Sequence, residues 1–287
     1  MLSLKAYAKI NLTLEVLGKR ADGFHEIATV MQTIDLADDL TFAEAPDIFV
    51  ESEAEGIAPE ENLVLKAAKL LRSRLGVRSG ARIGLVKRIP VAAGLGGGST
   101  DAAATLVGLC RLWGRAVPKA ELSAMAAELG SDVPFFLTGG TALAEGRGER
   151  ITVLPPLPEF SLVITKPPIE LEKKTARLYG ALTPTDYSHG EATHRLLAAM
   201  KTKSPLREDL LYNSFERVAV KVFPNFESHR RRFAEAGAKH IHLAGSGPTM
   251  FTLVKGPGEG LRITVVLERS GQPAYLVKSI AKTYNLT

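Results

Sequence analysis

From Gly94 to Gly98 four of five residues are glycine, with only Leu95 intervening, and the run leads through Ser99, Thr100 and Asp101 straight into the helical pattern of Ala102 to Trp113. The amides of so bare a backbone can converge on an anion without side-chain obstruction. The free N–H groups and dipole of a helix start complete such a cradle. With two hydroxyls at the junction, Pro90 to Thr100 is read as a phosphate-holding loop. Its spacing sets it apart from two familiar kinds. No lysine follows the last glycine, as the common phosphate loop requires, and no acidic residue closes a second parallel strand where the dinucleotide fingerprint needs one.

The surrounding pattern supplies a frame. In Leu2 to Leu17 the residues Ile10, Leu12, Leu14 and Val16 alternate with Asn11, Thr13 and Glu15, the period of a strand. Gly18 to Gly23 reads as a turn and His25 to Ile34 as a second extended segment. Shorter strands are expected near Asp39 to Ala43, Ile48 to Glu53 and Arg82 to Lys87. Asn62 caps a helix that stops at Gly76, and a further helix covers Lys119 to Leu129. The run Pro155-Pro156-Leu157-Pro158 breaks ladders and helices alike, and marks the expected boundary between a lobe of residues 1–155 and one of residues 156–287. Beyond it the pattern predicts a strand at Ser161 to Thr165 and helices near Leu171 to Leu182, Glu191 to Met200, Leu206 to Val218 and Asn225 to Ala236. Strand, turn, strand, helix and strand then follow. That order is the order of an α+β protein in two lobes.

Composition narrows the function classes. With 287 residues, 45% of them apolar and 23% charged, the chain is neither disordered nor fibrous, and it is long enough for two domains. A net charge of +5 is mildly basic and suits anionic small ligands. The one cysteine, Cys110, lies among Leu106, Val107, Leu109 and Leu112, so it reads as a packed thiol in a reducing compartment. The amino terminus is broken by Lys5 and Lys9 and does not read as a signal peptide. No stretch approaches a membrane span, and a cytoplasmic location without membrane partners is expected.

Several residues could carry chemistry. Lys9, between apolar neighbours on the first strand, reads on its own as an outward, solvated lysine. Asp132, ahead of Val133-Pro134-Phe135-Phe136, reads on its own as a helix cap. If the fold joins them, the aspartate stays ionised and can accept a hydroxyl proton while the lysine offsets phosphate charge. His25, next to Phe24, is either a solvated turn residue or a ring that reads a nucleobase edge. His189, His194, His229, His240 and His242 lack the spacing of zinc ligands. Gly245-Ser246-Gly247, between two β-like segments, is either a plain hairpin turn or a loop that packs against the first glycine run. Arg230-Arg231-Arg232 is assigned to a solvated helix face without a role.

On these residues the chain resembles the GHMP kinases, the superfamily of galactokinase, homoserine kinase and mevalonate kinase. Pro90 to Thr100 is similar to their second motif and Gly245 to Gly247 to their third. Ala8-Lys9-Ile10-Asn11-Leu12 followed by Gly18 to His25 resembles the branch that phosphorylates 4-diphosphocytidyl-2-C-methyl-D-erythritol in non-mevalonate isoprenoid biosynthesis. The resemblance implies a two-lobed GHMP kinase fold with a ribosomal S5 domain 2-like amino-terminal lobe, a ferredoxin-like carboxyl-terminal lobe and ligands between them. It implies transfer of the γ-phosphoryl group of ATP to the 2-hydroxyl of that cytidine diphosphate ester. Lys9 and Asp132 fall on the catalytic pair. Pro90, Val91, Ala92, Ala93, Gly94, Leu95, Gly96, Gly97, Gly98, Ser99 and Thr100 fall on the ATP-phosphate segment. His25 matches the residue that binds cytosine, and Asn11 lies near the diphosphate and acceptor end. Phe24 stands where the family often has tyrosine, which keeps the stacking and loses a hydroxyl contact. Tyr179 is the candidate for a second aromatic sandwiching the base. Mg²⁺ is expected with ATP, bridging its β- and γ-phosphates without dedicated protein ligands, Ser99 being a further candidate contact. The implied partner is this small molecule, not nucleic acid, and the implied state is a monomer or weak homodimer.

Two other readings stay open at this point. A homoserine- or mevalonate-type kinase would turn over an acceptor without cytidine. An RNA-binding protein with an S5-like lobe would interleave aromatic and basic residues on one strand face, whereas the aromatics here make up 6% and are scattered.

Overall fold

The computed structural model describes residues 1–52, 61–202 and 204–281. A long antiparallel pair, β1 (Leu2–Lys19) and β2 (His25–Ala45), leads into β3 (Ile48–Ser52), α1 (Leu63–Leu75), β4 (Gly80–Val86), α2 (Gly97–Leu112), α3 (Lys119–Leu129), α4 (Val133–Thr138), β5 (Thr141–Gly146) and β6 (Arg150–Val153). After the prolines come β7 (Ser161–Thr165), α5 (Lys174–Ala181), α6 (Glu191–Met200), β8 (Tyr212–Asn213), α7 (Glu216–Val222), α8 (Phe226–Glu235), β9 (His242–Leu243), β10 (Met250–Val254), α9 (Pro257–Arg269) and β11 (Ala274–Lys278). The strands form two sheets. One runs β3-β4-β2-β1-β8, with the hairpin β5–β6 attached to β2; the other is β11-β7-β10-β9. The α+β class is the one that the element order predicts.

β1 lies between β2 and β8 in the first sheet, and its alternation does not separate core from water. Ile10 and Leu12 are buried, but so are Asn11, Thr13 and Glu15 on the polar side. The reason is that elements from the second half close over that side too. Thr13 Oγ1 lies 3.0 Å from Thr193 Oγ1, and the Glu15 carboxylate accepts the amides of Ala192 (3.2 Å) and Thr193 (2.7 Å). Those amides open α6 and lack helical acceptors, so a buried anion is well held there. Ile10, Leu12 and Val30 share a hydrophobic cluster with Leu162, Ile164 and Phe251, which joins the two sheets. Leu157, inside the proline run, packs against the same cluster.

Several sequence expectations are corrected. The segments His25 to Ile34 and Asp39 to Ala43 are one strand, because β2 bulges over Ile34 to Leu36 opposite Ala8 of β1 and the pairing then resumes. The strand expected from Ile48 to Glu53 is described as far as Ser52, and Glu53 lies outside the described residues. The helix expected from Ala102 begins at Gly97, so the glycines themselves form its first turn. The helix expected from Leu171 begins at Lys174, after Lys173 turns the chain at φ 51°. No continuous helix spans Leu206 to Val218. Tyr212 and Asn213 are drawn into a parallel bridge with Thr13 and Leu14, the Asn213 side chain bonds the Phe215 amide (3.0 Å) and the Leu243 carbonyl (3.1 Å), and only then does α7 start. α4 was implied only by the reading of Asp132 as a helix cap, and the hairpin β5–β6 was not anticipated.

Candidate active site

Lys9 and Asn11 sit on β1 where both glycine loops border it. The Lys9 amide donates to the Leu95 carbonyl (3.0 Å) and the Asn11 amide to the Ala244 carbonyl (2.9 Å). Lys9, isolated between apolar residues, is not solvated after all and is only 4% exposed. Its Nζ donates to Asn11 Oδ1 at 2.8 Å and lies 3.4 Å from Asp132 Oδ2. Asp132 stands at the amino-terminal cap position of α4, yet its side chain caps no amide there. The carboxylate faces the ammonium while remaining one-third exposed to the cleft. The fold therefore brings together the lysine and aspartate that lie 123 positions apart in sequence.

The two glycine segments meet backbone to backbone. A Cβ on Gly94 would lie 2.8 Å from the Gly247 nitrogen, and one on Gly247 would lie 2.4 Å from the Ala93 oxygen. The turn Gly245 to Gly247 is thus a loop packed on the first, not a free hairpin turn. At Gly96, with φ +75°, a Cβ would strike the Phe136 ring at 2.5 Å. The first intrahelical bond of α2 is donated by Thr100 to the Gly96 carbonyl (2.8 Å), so the amides of Gly97, Gly98 and Ser99 precede it and have no helical acceptor. Thr100 Oγ1 is buried without a hydrogen-bond partner among the described residues. A bare cradle with free amides and an orphaned hydroxyl fits a phosphate chain. The start of α5 latches over it: Lys174 Nζ donates to the Ala92 carbonyl, and Thr175 Oγ1 lies 3.1 Å from Ser246 Oγ.

Cavities lie on both sides of this loop. One, of about 340 Å³, is bounded by Asn62, Leu63, Lys87 and the loop from Pro90 to Ser99. The other, of about 1040 Å³, is lined by Lys9, Asn11, Asp132, Phe24, His25, Tyr179 and Phe215, and shares Ala92 and Ser99 with the first. Among the described residues, five cations, Lys9, Lys19, Arg147, Lys173 and Lys174, line this larger cleft against one carboxylate, Asp132. At its far end the His25 and Tyr179 rings stack at 4.6 Å, Tyr179 stands edge-on to Phe215, and Tyr187 approaches His25 edge-on at 6.1 Å. Phe24 is half exposed, and the Arg147 guanidinium lies 4.7 Å from its ring centroid. The ring facing Tyr179 is therefore that of His25, not Phe24. Burial, aided by Lys19, lowers the His25 pKa below the ordinary histidine value, which keeps the ring neutral at pH 7 with one donor and one acceptor nitrogen.

One constellation escaped sequence reasoning. Lys87, buried behind the loop, bridges Asp38 Oδ2 (2.5 Å) and Asp101 Oδ2 (2.7 Å), and Asp38 Oδ1 also accepts the Ile89 amide (2.8 Å). Two carboxylates thus share one ammonium beneath the start of α2. Burial pushes the Asp101 carboxyl up to about 7, with the neighbouring Asp38 charge adding to it and Lys87 opposing. The only sequence signal was a polar residue at the end of each segment, which a solvated residue would also give.

Residues 62–140 match the profile of the GHMP kinases N terminal domain. The chain is 43% identical to a 4-diphosphocytidyl-2-C-methyl-D-erythritol kinase of Dehalococcoides mccartyi, over 98% of this chain and 99% of that protein. It belongs to the 4-diphosphocytidyl-2-C-methyl-D-erythritol kinase family. The family kinase of Pelotomaculum thermopropionicum is 48% identical over 86% of this chain and 87% of its own length. A crystal structure of 4-(cytidine 5'-diphospho)-2C-methyl-D-erythritol kinase superposes with a TM-score of 0.80 at 36% identity, covering 97% of this chain and 99% of that one. A homoserine kinase of Cytophaga hutchinsonii shares the fold, with a TM-score of 0.71 at 18% identity over 98% of this chain and 95% of its own. As a member of this GHMP kinase family the chain is an ATP-dependent small-molecule kinase.

Proposed function

We propose that the chain transfers the γ-phosphoryl group of ATP to the 2-hydroxyl of 4-diphosphocytidyl-2-C-methyl-D-erythritol, a step of non-mevalonate isoprenoid biosynthesis. The observation that carries this reading is the Lys9–Asp132 pair, 3.4 Å apart, standing between the glycine cradle and a cleft with stacked rings at its far end. Asp132 accepts the hydroxyl proton of the acceptor. Lys9 faces that carboxylate and stabilises charge on the transferring group. The loop amides and the start of α2 hold the β- and γ-phosphates, and most of the acceleration comes from positioning and electrostatics. Mg²⁺ bound with ATP would offset phosphate charge, with the Ser99 hydroxyl, which lines both cavities, as its candidate protein contact. His25 reads the cytosine edge, Phe24 and Tyr179 supply aromatic surface, and Asn11 lies by the acceptor end. The lobes divide near residue 155, and the nucleotide and acceptor enter from opposite sides of the loop. The proposed state is a monomer or weak homodimer acting on a small molecule, and a cytoplasmic location fits the lone cysteine, Cys110, whose burial raises its thiol pKa to about 11.

The test is direct. The protein, ATP, Mg²⁺ and the diphosphocytidyl erythritol are incubated, and products are identified by mass spectrometry. A product heavier by one phosphoryl group together with stoichiometric ADP is expected, with homoserine and mevalonate inert as acceptors. Comparable turnover of those alcohols would overturn the substrate assignment.

A further inference from the structure

The Lys9 ammonium is held by a chain of hydrogen bonds that can run in one direction only. Asn11 Nδ2 lies 2.6 Å from Thr29 Oγ1, and Thr29 Oγ1 lies 2.5 Å from the Thr13 carbonyl. A carbonyl only accepts, so the single hydroxyl proton of Thr29 is committed to Thr13. Toward Asn11, Thr29 can then only accept, which requires the amide nitrogen there and turns Oδ1 to Lys9. The chain is possible because β1 bulges: Asn11 pairs with Met31 and Thr13 with Val30, so Leu12 is the extra residue. In the bulge the Thr13 hydroxyl accepts the Val30 amide (3.1 Å), while the Thr13 carbonyl is left for Thr29. Thr13 and Thr29 are both fully buried, so water does not compete for these groups.

We infer that Thr29 is a positioning residue for the phosphoryl-transfer step: by fixing the orientation of the Asn11 amide it presents an acceptor to Lys9 and sets the ammonium beside Asp132. The inference rests on the function proposed for Lys9 and Asp132. With the Thr29 hydroxyl absent, nothing on that side decides between the two amide orientations, and the flipped one would set an NH₂ group against the ammonium.

The experiment measures kcat and KM for both substrates in wild type, Thr29→Val, Asn11→Ala and the double variant, with Thr29→Ser as the conservative replacement. Thr29→Val should lower kcat about tenfold, the weight of one hydrogen bond to a charged group, with KM for ATP little changed. Thr29→Ser, which keeps donor and acceptor, should restore most of the rate. In the Asn11→Ala background the valine should cost nothing further, since the two residues act as one unit. A full additional loss in that background would show that Thr29 acts through packing and overturn the inference, as would unchanged kcat in Thr29→Val. Should Thr29→Val not fold, Thr29→Cys tests the same point, because its sulfur is a poor acceptor and kcat should again fall. A wild-type protein without turnover on the cytidyl acceptor would instead refute the proposed function.

Discussion

At the scale of single residues, the environment assigns different tasks to groups of the same kind. Asp132 keeps one-third of its side chain open to the cleft and faces an ammonium, whereas Asp101 is buried under the loop with a second carboxylate nearby. Asp132→Asn removes the proposed proton acceptor and should lower kcat by about 10² to 10⁴ while KM for ATP stays near wild type. Steady-state ADP release at varied ATP checks both numbers. His25→Ala should raise KM for the cytidyl acceptor about tenfold or more through loss of a hydrogen-bonded ring face, leaving ATP unaffected; equal effects on both substrates would remove His25 from base recognition. Asp101 makes a prediction about stability. Its folded pKa, about 7, exceeds the ordinary carboxyl value of 3.8, so between about pH 4 and 7 the folded state binds more protons and stability falls as pH rises. Asp101→Asn lacks that titration and leaves Lys87 paired with Asp38. From pH 5 to pH 8 the urea midpoint of the variant should therefore rise relative to wild type, and a difference constant with pH would show that Asp101 does not titrate in this window.

At the scale of elements, the two glycine loops are close enough that neither can accept a side chain. Gly247→Ala would place a methyl 2.4 Å from the Ala93 oxygen and 2.9 Å from the Gly94 nitrogen, both backbone atoms that cannot turn aside. The loops must separate, at about 1–3 kcal/mol, and KM for ATP should rise at least tenfold. Gly258→Ala, in the first turn of α9 with nothing within 4 Å of the added atom, is the control and should be neutral or slightly stabilising. The same elements show what a sequence can reveal. The density from Gly94 to Gly98 and the hydroxyls after it marked the cradle because few other uses require so bare a backbone. β8 left no mark, since two residues have no period and are held by the Asn213 side chain and a strand some 200 positions away. The hairpin β5–β6 was missed because Ala142 and Ala144 are small, so its alternation between core and surface is weak. Lys9 was legible as a candidate through the resemblance alone; its burial depends on two loops meeting beside β1.

At the scale of the whole molecule, the net charge of +5 acquires a location. Among the described residues the large cleft gathers five cations and one carboxylate, which suits the polyphosphate ends of the two ligands proposed. The proline run marks the expected boundary between the two lobes, and the contacts across it are extensive. β8 from the second half pairs with β1, Glu15 caps α6, an Ile34–Ser279 bridge joins the sheets, and Ile10, Leu12, Ile164 and Phe251 lie in one cluster. A chain built this way should unfold as a unit. Trp113, whose indole donates to the Gly80 carbonyl (3.2 Å), reports on the first half by fluorescence, and Tyr179 and Tyr275 report on the second by near-ultraviolet circular dichroism. In urea the two signals should change at the same midpoint, as cooperative unfolding requires. Residues 1–155 expressed alone should remain unfolded or aggregate, because Ile10, Leu12 and the buried Glu15 would lose the partners that cover them. Two separated transitions, or a folded and monomeric fragment, would show that the interface is a docking contact between independent lobes and that Lys9 and Asp132 are positioned by the first lobe alone.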